Sequence, residues 1–100
     1  MTDSDIRSCF VTLKKDFTFH LKILECGLKV YNGNITKEAL ISLQCWLEKL
    51  QSCDTAISDA GLGLMMSVDK QTRLYGEEEM EEIGEKLRDI QKRFNEITRT

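Results

Sequence analysis

The sequence of 100 residues predicts an all-α fold, an elongated, left-handed, antiparallel three-helix bundle. Two observations lead to this prediction. The chain contains no proline and only six glycines, so few residues interrupt a long helix. Apolar residues recur every three or four positions along three segments, as in helices that pack side by side. We expect one domain over residues 1–100, with helices over about 4–31, 36–66 and 77–99.

The first helix is predicted to begin near Ser4 and to end at the turn-forming segment Asn32-Gly33-Asn34. Thr2 and Asp5 have the spacing of a capping box, in which each side chain accepts a hydrogen bond from the other residue's backbone N–H. The predicted apolar stripe consists of Ile6, Phe10, Leu13, Phe17, His20, Leu21, Leu24, Leu28 and Tyr31, widened by Phe19, Ile23 and Val30. A stripe of this width is typical of a helix inside a bundle.

The second helix is predicted to begin at Asn34 or Thr36. Its apolar stripe consists of Leu40, Leu43, Leu47, Leu50 and Ile57. Gly61 and Gly63 follow this stripe, and each glycine costs about 1 kcal/mol in a helix interior. The pattern therefore leaves two endings open, one at these glycines and a later one at about residue 66.

The third helix is expected to begin at Glu77, because segment 67–76 has the weakest periodicity and is predicted to be a loop. Acidic side chains would then occupy the first turns, at the positive end of the helix dipole: Glu77, Glu78, Glu79, Glu81 and Glu82. The apolar stripe is narrow and consists of Met80, Ile83, Leu87, Ile90, Phe94 and Ile97. Charged residues flank this stripe, a pattern typical of a coiled-coil surface.

The charge and the hydropathy of the chain argue against some classes of partner. The net charge is −3, so no basic surplus is available for nucleic acid, and we expect no binding to DNA or RNA. The N-terminal residues lack the basic patch and apolar run of a signal peptide. The most apolar stretch, residues 61–68, is too short to cross a bilayer, and we expect no direct insertion into a membrane.

The cysteines and the single histidine form no recognisable metal or catalytic motif. Cysteines at positions 9, 26, 45 and 53 include no CxxC pair, and His20 has no partner at a motif spacing. A helical chain with few loops also differs from a small disulfide-linked scaffold. We therefore expect four reduced, mostly buried thiols in a cytosolic or nuclear protein, with no metal, no cofactor and no enzymatic activity.

Parts of the second and third helices resemble the spectrin repeat family. In the third helix the family pattern stands as Glu82, Ile83, Leu87, Ile90, Phe94 and Ile97, with phenylalanine where tryptophan is usual. The end of the second helix is similar at Ile57, Ala60, Gly61 and Leu64, although the connection that follows is longer than in the family. The resemblance implies one antiparallel three-helix repeat that serves, without catalysis, as a spacer or docking unit of a larger cytoskeletal or signalling protein.

A second alignment with the same family is possible. Leu43, Trp46 and Leu47 resemble the residues that mark the family's first helix. In that alignment residues 1–32 would end a preceding repeat, while 36–58 and 77–100 would be the first two helices of the next. We prefer the first alignment, which covers the whole chain. It gives one complete core and leaves no apolar stripe without a partner.

The second helix carries more apolar residues than a three-helix bundle can bury, and we expect the surplus to bind another protein. The predicted partner-binding residues are Ile41, Trp46, Leu62, Met65 and Met66, with Leu74 and Tyr75 as further candidates. The family resemblance implies cytoskeletal or scaffold partners, neighbouring repeats, and a cytoplasmic location at actin or at the nuclear envelope. We expect a monomer or weak dimer. An alternative function is a lone helical adaptor that binds a partner's helix in a groove.

Overall fold

The computed structural model describes residues 2–30 and 36–98 and, within these ranges, the side chains up to residue 97. These residues form three helices, α1 (Asp3–Val30), α2 (Lys37–Met65) and α3 (Lys70–Thr98). The fold is therefore all-α with three helices, as the periodicity predicts. Its principal dimensions are 50 × 18 × 15 Å, so the molecule is elongated. The predicted end of the first helix at residues 31–34 lies outside the described residues.

The start of α1 is fixed by two reciprocal hydrogen bonds. The backbone N–H of Asp5 donates to Thr2 Oγ1, and the backbone N–H of Thr2 donates to Asp5 Oδ2, each over 3.2 Å. These bonds satisfy two N–H groups that have no acceptor within the helix. The capping box inferred from the sequence is confirmed.

The second helix begins after Thr36, whose hydroxyl oxygen accepts a hydrogen bond from the backbone N–H of Ala39 over 3.1 Å. It continues through both glycines to Met65, so the longer of the two possible endings is the observed one. Each glycine lies where another helix approaches closely. A Cβ atom on Gly61 would overlap the side chain of Met80, and one on Gly63 would lie 3.4 Å from Ile6. Packing between helices outweighs the low helix propensity of glycine here.

The third helix begins at Lys70, so the predicted start at residue 77 and the predicted loop over 67–76 are wrong from residue 70 onward. Asp69 caps this helix. Its Oδ2 accepts hydrogen bonds from the Thr72 hydroxyl (2.7 Å) and the Thr72 backbone N–H (3.0 Å), and these bonds lower the pKa of the Asp69 carboxyl. The backbone N–H of Asp69 donates in turn to Ser67 Oγ over 3.1 Å. The five glutamates consequently lie beyond the first turn, and the first-turn role predicted for them is wrong.

The core runs along the whole bundle and follows the three predicted stripes. Its buried members are Phe10, Phe17, Leu21, Leu24 and Leu28 from α1, Leu43, Leu50, Ile57 and Leu64 from α2, and Ile83, Ile90 and Phe94 from α3. Most contacts join helices that are neighbours in the sequence, α1 with α2 and α2 with α3, whereas α1 and α3 touch much less.

Phe10 is the point at which all three helices meet. Its ring packs edge-on against Tyr75 of α3, with 6.1 Å between the ring centroids. On the α2 side, a Cβ atom on Gly61 would lie 3.5 Å from the Phe10 ring. A change at Phe10 therefore affects the packing of every helix.

An ion-pair network on the surface joins α1 to α3. The Lys14 ammonium pairs with Glu79 and lies 3.5 Å from Glu82 Oε2. Partial burial alone would lower the pKa of Lys14, but the hydrogen bond and charge of Glu79, followed by those of Glu82, outweigh burial and raise it. The network adds little stability, because its members stay partly exposed to solvent.

Two glycines of α3 should respond in opposite ways to substitution by alanine. A Cβ atom on Gly76 would lie 2.9 Å from Leu64 Cβ and 3.3 Å from the Met65 backbone nitrogen, and α2 fixes both atoms. Overpacking costs about 1–3 kcal/mol, more than the roughly 1 kcal/mol that alanine gains over glycine in a helix. We expect Gly76→Ala to lower the free energy of unfolding in urea.

Gly84→Ala is the matched control on the same helix. Its new Cβ atom would meet only the Arg88 guanidinium, at 3.4 Å, and that side chain can move away. We expect Gly84→Ala to raise the free energy of unfolding by about 0.5–1 kcal/mol. Equal stabilisation by both changes would show that α2 and α3 do not approach closely at Gly76.

Candidate functional site

The five predicted partner-binding residues differ in exposure. Ile41, Leu62 and Met66 expose 54, 55 and 75 % of their surface. Trp46 and Met65 are half-buried. Only the first three have the free apolar surface that a docking residue needs.

Trp46 packs against its own bundle. Its ring lies 5.5 Å, centroid to centroid, from the His20 ring on α1, and the Lys49 ammonium sits 4.4 Å from the centre of the indole. A cation at this distance is attracted to the face of the ring. Part of the indole surface is therefore already in contact with other residues of the molecule. Phe19, which was expected to widen the buried stripe of α1, is exposed instead and contacts the edge of His20.

Four exposed apolar residues lie close together in the chain, at the end of the bundle where α2 is followed by α3. Leu62 and Met66 are four residues apart and share a helix face. Ile41 precedes Leu62 by 21 residues, which is about 30 Å along a helix, so it belongs to a different region. Leu74, near the start of α3, is 45 % exposed, and Val68, in the connection, is 96 % exposed. We call Leu62, Met66, Val68 and Leu74 the turn group.

The structure differs from the sequence-based prediction at two residues, Tyr75 beside the turn group and Val68 within it. Tyr75 is half-buried, because its ring packs on Phe10 and the Arg7 guanidinium lies 4.1 Å from the ring centre. Val68 was not singled out, since the sequence could not show that α2 ends before it. The Ser67 and Asp69 cap on either side of Val68 is the signal that could have identified it.

A second site contains Asp16 and His20 of α1 and Cys53 of α2. His20 Nε2 lies 3.4 Å from Asp16 Oδ1, and the Cys53 thiol donates a hydrogen bond to Asp16 Oδ2 over 3.5 Å. One possible ligand atom from each of the three residues lies within 4.8 Å of those of the other two. Asp16 and His20 occupy adjacent turns of one helix, and the packing of α2 against α1 brings Cys53 to them. We call these residues the Asp-His-Cys cluster.

The electrostatics of this cluster do not favour a nucleophilic thiol. Burial, and then the hydrogen bond to Asp16 and its negative charge, raise the pKa of Cys53. An activated cysteine needs a lowered pKa or a base that takes its proton. Here each oxygen of Asp16 contacts one of the two other residues, so the carboxylate separates the thiol from the imidazole. The Nδ1 atom of His20 is buried and has no hydrogen-bond partner among the described residues.

The thiols differ from the prediction in their burial. Cys9, Cys26 and Cys45 are exposed and Cys53 is half-buried, so the expectation of mostly buried thiols is wrong. All four are free. They lie beside the apolar stripes rather than on them, and of the four Cys53 packs against the edge of the core.

Within the described ranges, none of the helices has an apolar stretch long enough to cross a membrane. A comparison of the chain with protein-family models, with curated proteins and with solved structures finds no match.

Proposed function

We propose that this chain is a non-enzymatic protein-interaction module of the spectrin-repeat type, a spacer or docking unit of a larger cytoskeletal or signalling protein. The observation that carries the proposal is the turn group, a set of exposed apolar side chains at one end of an elongated bundle. Monomeric proteins keep large exposed apolar patches mainly where they bind a partner.

The proposal includes a left-handed antiparallel arrangement of the helices. Two contacts of α1, one with the start of α2 and one with the segment after its end, support the antiparallel part. Asp3, at the start of α1, accepts a hydrogen bond from the Ser67 hydroxyl beyond the end of α2. Gly27, near the end of α1, lies against Leu43 near the start of α2. The strict heptad spacing of the α3 stripe favours a left-handed supercoil.

The turn group has the chemistry of an adaptable protein contact. Leucine and valine supply apolar area, and the thioether of Met66 can change its conformation to fit different surfaces. The partner would be another protein, or a neighbouring repeat of the same parent chain. The acidic net charge of −3 disfavours nucleic acid. Free thiols fit a cytoplasmic location, at the cytoskeleton or the nuclear envelope. We infer a monomer or weak dimer that works without a cofactor.

The alternative is a lone adaptor that holds a partner's helix in a groove, and one observation favours it. The limited contact between α1 and α3 leaves a shallow depression lined by Val11, Lys14, Lys15, Thr18 and Tyr75. Apolar anchors of a helix could enter such a groove. The two functions place the partner on different surfaces, so one experiment distinguishes them.

The test is site-specific photo-crosslinking in cells, with the photoreactive amino acid at position 62, 11 or 41. Docking through the turn group predicts one protein that crosslinks from position 62. Crosslinking from position 11 instead would favour the groove. Ile41 is the matched control, since it is as exposed as Leu62 on the same helix. Equal crosslinking from all three positions would contradict both functions.

The purified partner then gives a quantitative result. We expect Leu62→Ser combined with Met66→Ser to weaken binding by about 2 kcal/mol or more, roughly thirtyfold, as for the central residues of other interfaces. Ile41→Ser should bind like the unmodified chain. Circular dichroism must show that both variants keep the helical fold. Unchanged affinity in the double variant would contradict docking through the turn group.

A further inference from the structure

The spacing of the Asp-His-Cys cluster matches the coordination sphere of a zinc ion. Zinc bonds of about 2.0–2.3 Å in a tetrahedral site place ligand atoms about 3.3–3.8 Å from one another. The two carboxylate oxygens of Asp16 each lie at such a distance from one other ligand atom, Oδ1 3.4 Å from His20 Nε2 and Oδ2 3.5 Å from Cys53 Sγ. One ligand atom from each of the three residues lies within 4.8 Å of those of the other two, so side-chain rotation would bring all three to a single ion.

The backbone already holds the ligands in a suitable arrangement. Asp16 and His20 are four residues apart on α1, the spacing at which two side chains of one helix can share a metal ion. Cys53 approaches from α2, so a bound ion would join the two helices. The Asp16 side chain is 58 % exposed, which leaves a path for the ion from solvent.

The donor set selects the class of metal. Thiolate, imidazole and carboxylate together suit zinc and similar divalent transition metals, whereas calcium and magnesium prefer oxygen ligands alone. We propose that Asp16, His20 and Cys53 form a zinc site with three protein ligands and a fourth position open to water. On binding, the Cys53 thiol loses its proton to solvent and the zinc–sulfur bond forms without any change of oxidation state.

The fold would not depend on the zinc ion. The core is continuous without the metal, because none of its buried residues belongs to the cluster and Cys53 only packs against its edge. The Nδ1 atom of His20 also lacks the hydrogen-bond acceptor that usually orients a metal-bound imidazole. We therefore expect reversible binding, with the helical content the same before and after a chelator is added.

The test uses the full chain, reduced with a phosphine that does not bind metals, and cobalt as a spectroscopic substitute for zinc. Cobalt should bind one to one and give the charge-transfer band of a cobalt–thiolate bond. It should also quench the fluorescence of Trp46, the chain's single tryptophan, whose ring lies 5.5 Å from that of His20. Zinc should displace cobalt. Zinc at about a hundred times its dissociation constant should raise the melting temperature by about 10 °C.

Four variants complete the test. Loss of a group that merely orients a metal ligand already lowers metal affinity about 10–100-fold. Cys53→Ser, His20→Gln and Asp16→Asn each change a ligand itself, so each should weaken binding at least tenfold. Cys9→Ser removes an exposed thiol outside the cluster and should bind like the unmodified chain. Absence of the cobalt–thiolate band in the unmodified chain, or its persistence in Cys53→Ser, would overturn the proposal.

Discussion

Ile90→Asp is expected to unfold the bundle. Ile90 is fully buried in the core on α3. Aspartate there would place a charge without a partner among apolar side chains, which costs about 3–5 kcal/mol in addition to the lost apolar contacts. A domain of this size has a total stability of about 5–15 kcal/mol. Circular dichroism should show a large loss of helix and no cooperative thermal transition.

Leu74→Asp is the control for this experiment. It introduces the same charge on the same helix, at a side chain that is already exposed to solvent. We expect its melting temperature to stay close to that of the unmodified chain. If Ile90→Asp also melts normally, α3 is not part of a packed core and is available to a partner helix instead.

Phe10→Ala should produce the second largest loss of stability. The ring is fully buried and lies between Gly61 of α2 and Tyr75 of α3. Removing a buried phenylalanine side chain costs about 3–5 kcal/mol, because the lost transfer free energy is joined by the cost of a cavity. The cavity should persist here, since the helix backbones around Phe10 cannot collapse into it. Denaturation in urea should show this loss in the free energy of unfolding, with no change in the slope of that free energy against urea concentration.

Val11→Ala gives the comparison at the neighbouring position. Val11 is exposed, so its truncation should change the free energy of unfolding by less than about 1 kcal/mol. Similar losses at positions 10 and 11 would contradict the meeting of three helices at Phe10.

The periodicity of the sequence predicts the core well because burial in a bundle depends on local spacing. Eleven of the twelve buried core residues lie on the predicted stripes, and Leu64 is the exception. The capping box at Thr2 and Asp5 is observed as inferred. The start of α3 was missed for a physical reason. Residues 70–76 turn few large apolar side chains toward the core, so the helix there shows little periodicity, and its cap at Asp69 depends on short polar contacts.

The candidate sites were harder to predict, because they depend on how the helices lie against one another. The exposure of Leu62 and Met66 agrees with their selection from the sequence, but Trp46 is covered by a neighbouring helix and by Lys49. Cys53 is 33 residues from His20 in the chain, and no sequence motif links them. Only the packing of α1 on α2 brings these two side chains together.

The preference for contacts between successive helices has a consequence for the rate of folding. A contact between neighbours in the sequence closes a short loop, and the entropy lost in closing a loop grows with its length. Pairing α1 directly with α3 would require closure of the longest loop, and these two helices have the least contact of the three pairs. Helical proteins with such local topology fold within microseconds to milliseconds. A hairpin of two successive helices can therefore form early, and the remaining helix can add to it in a later step.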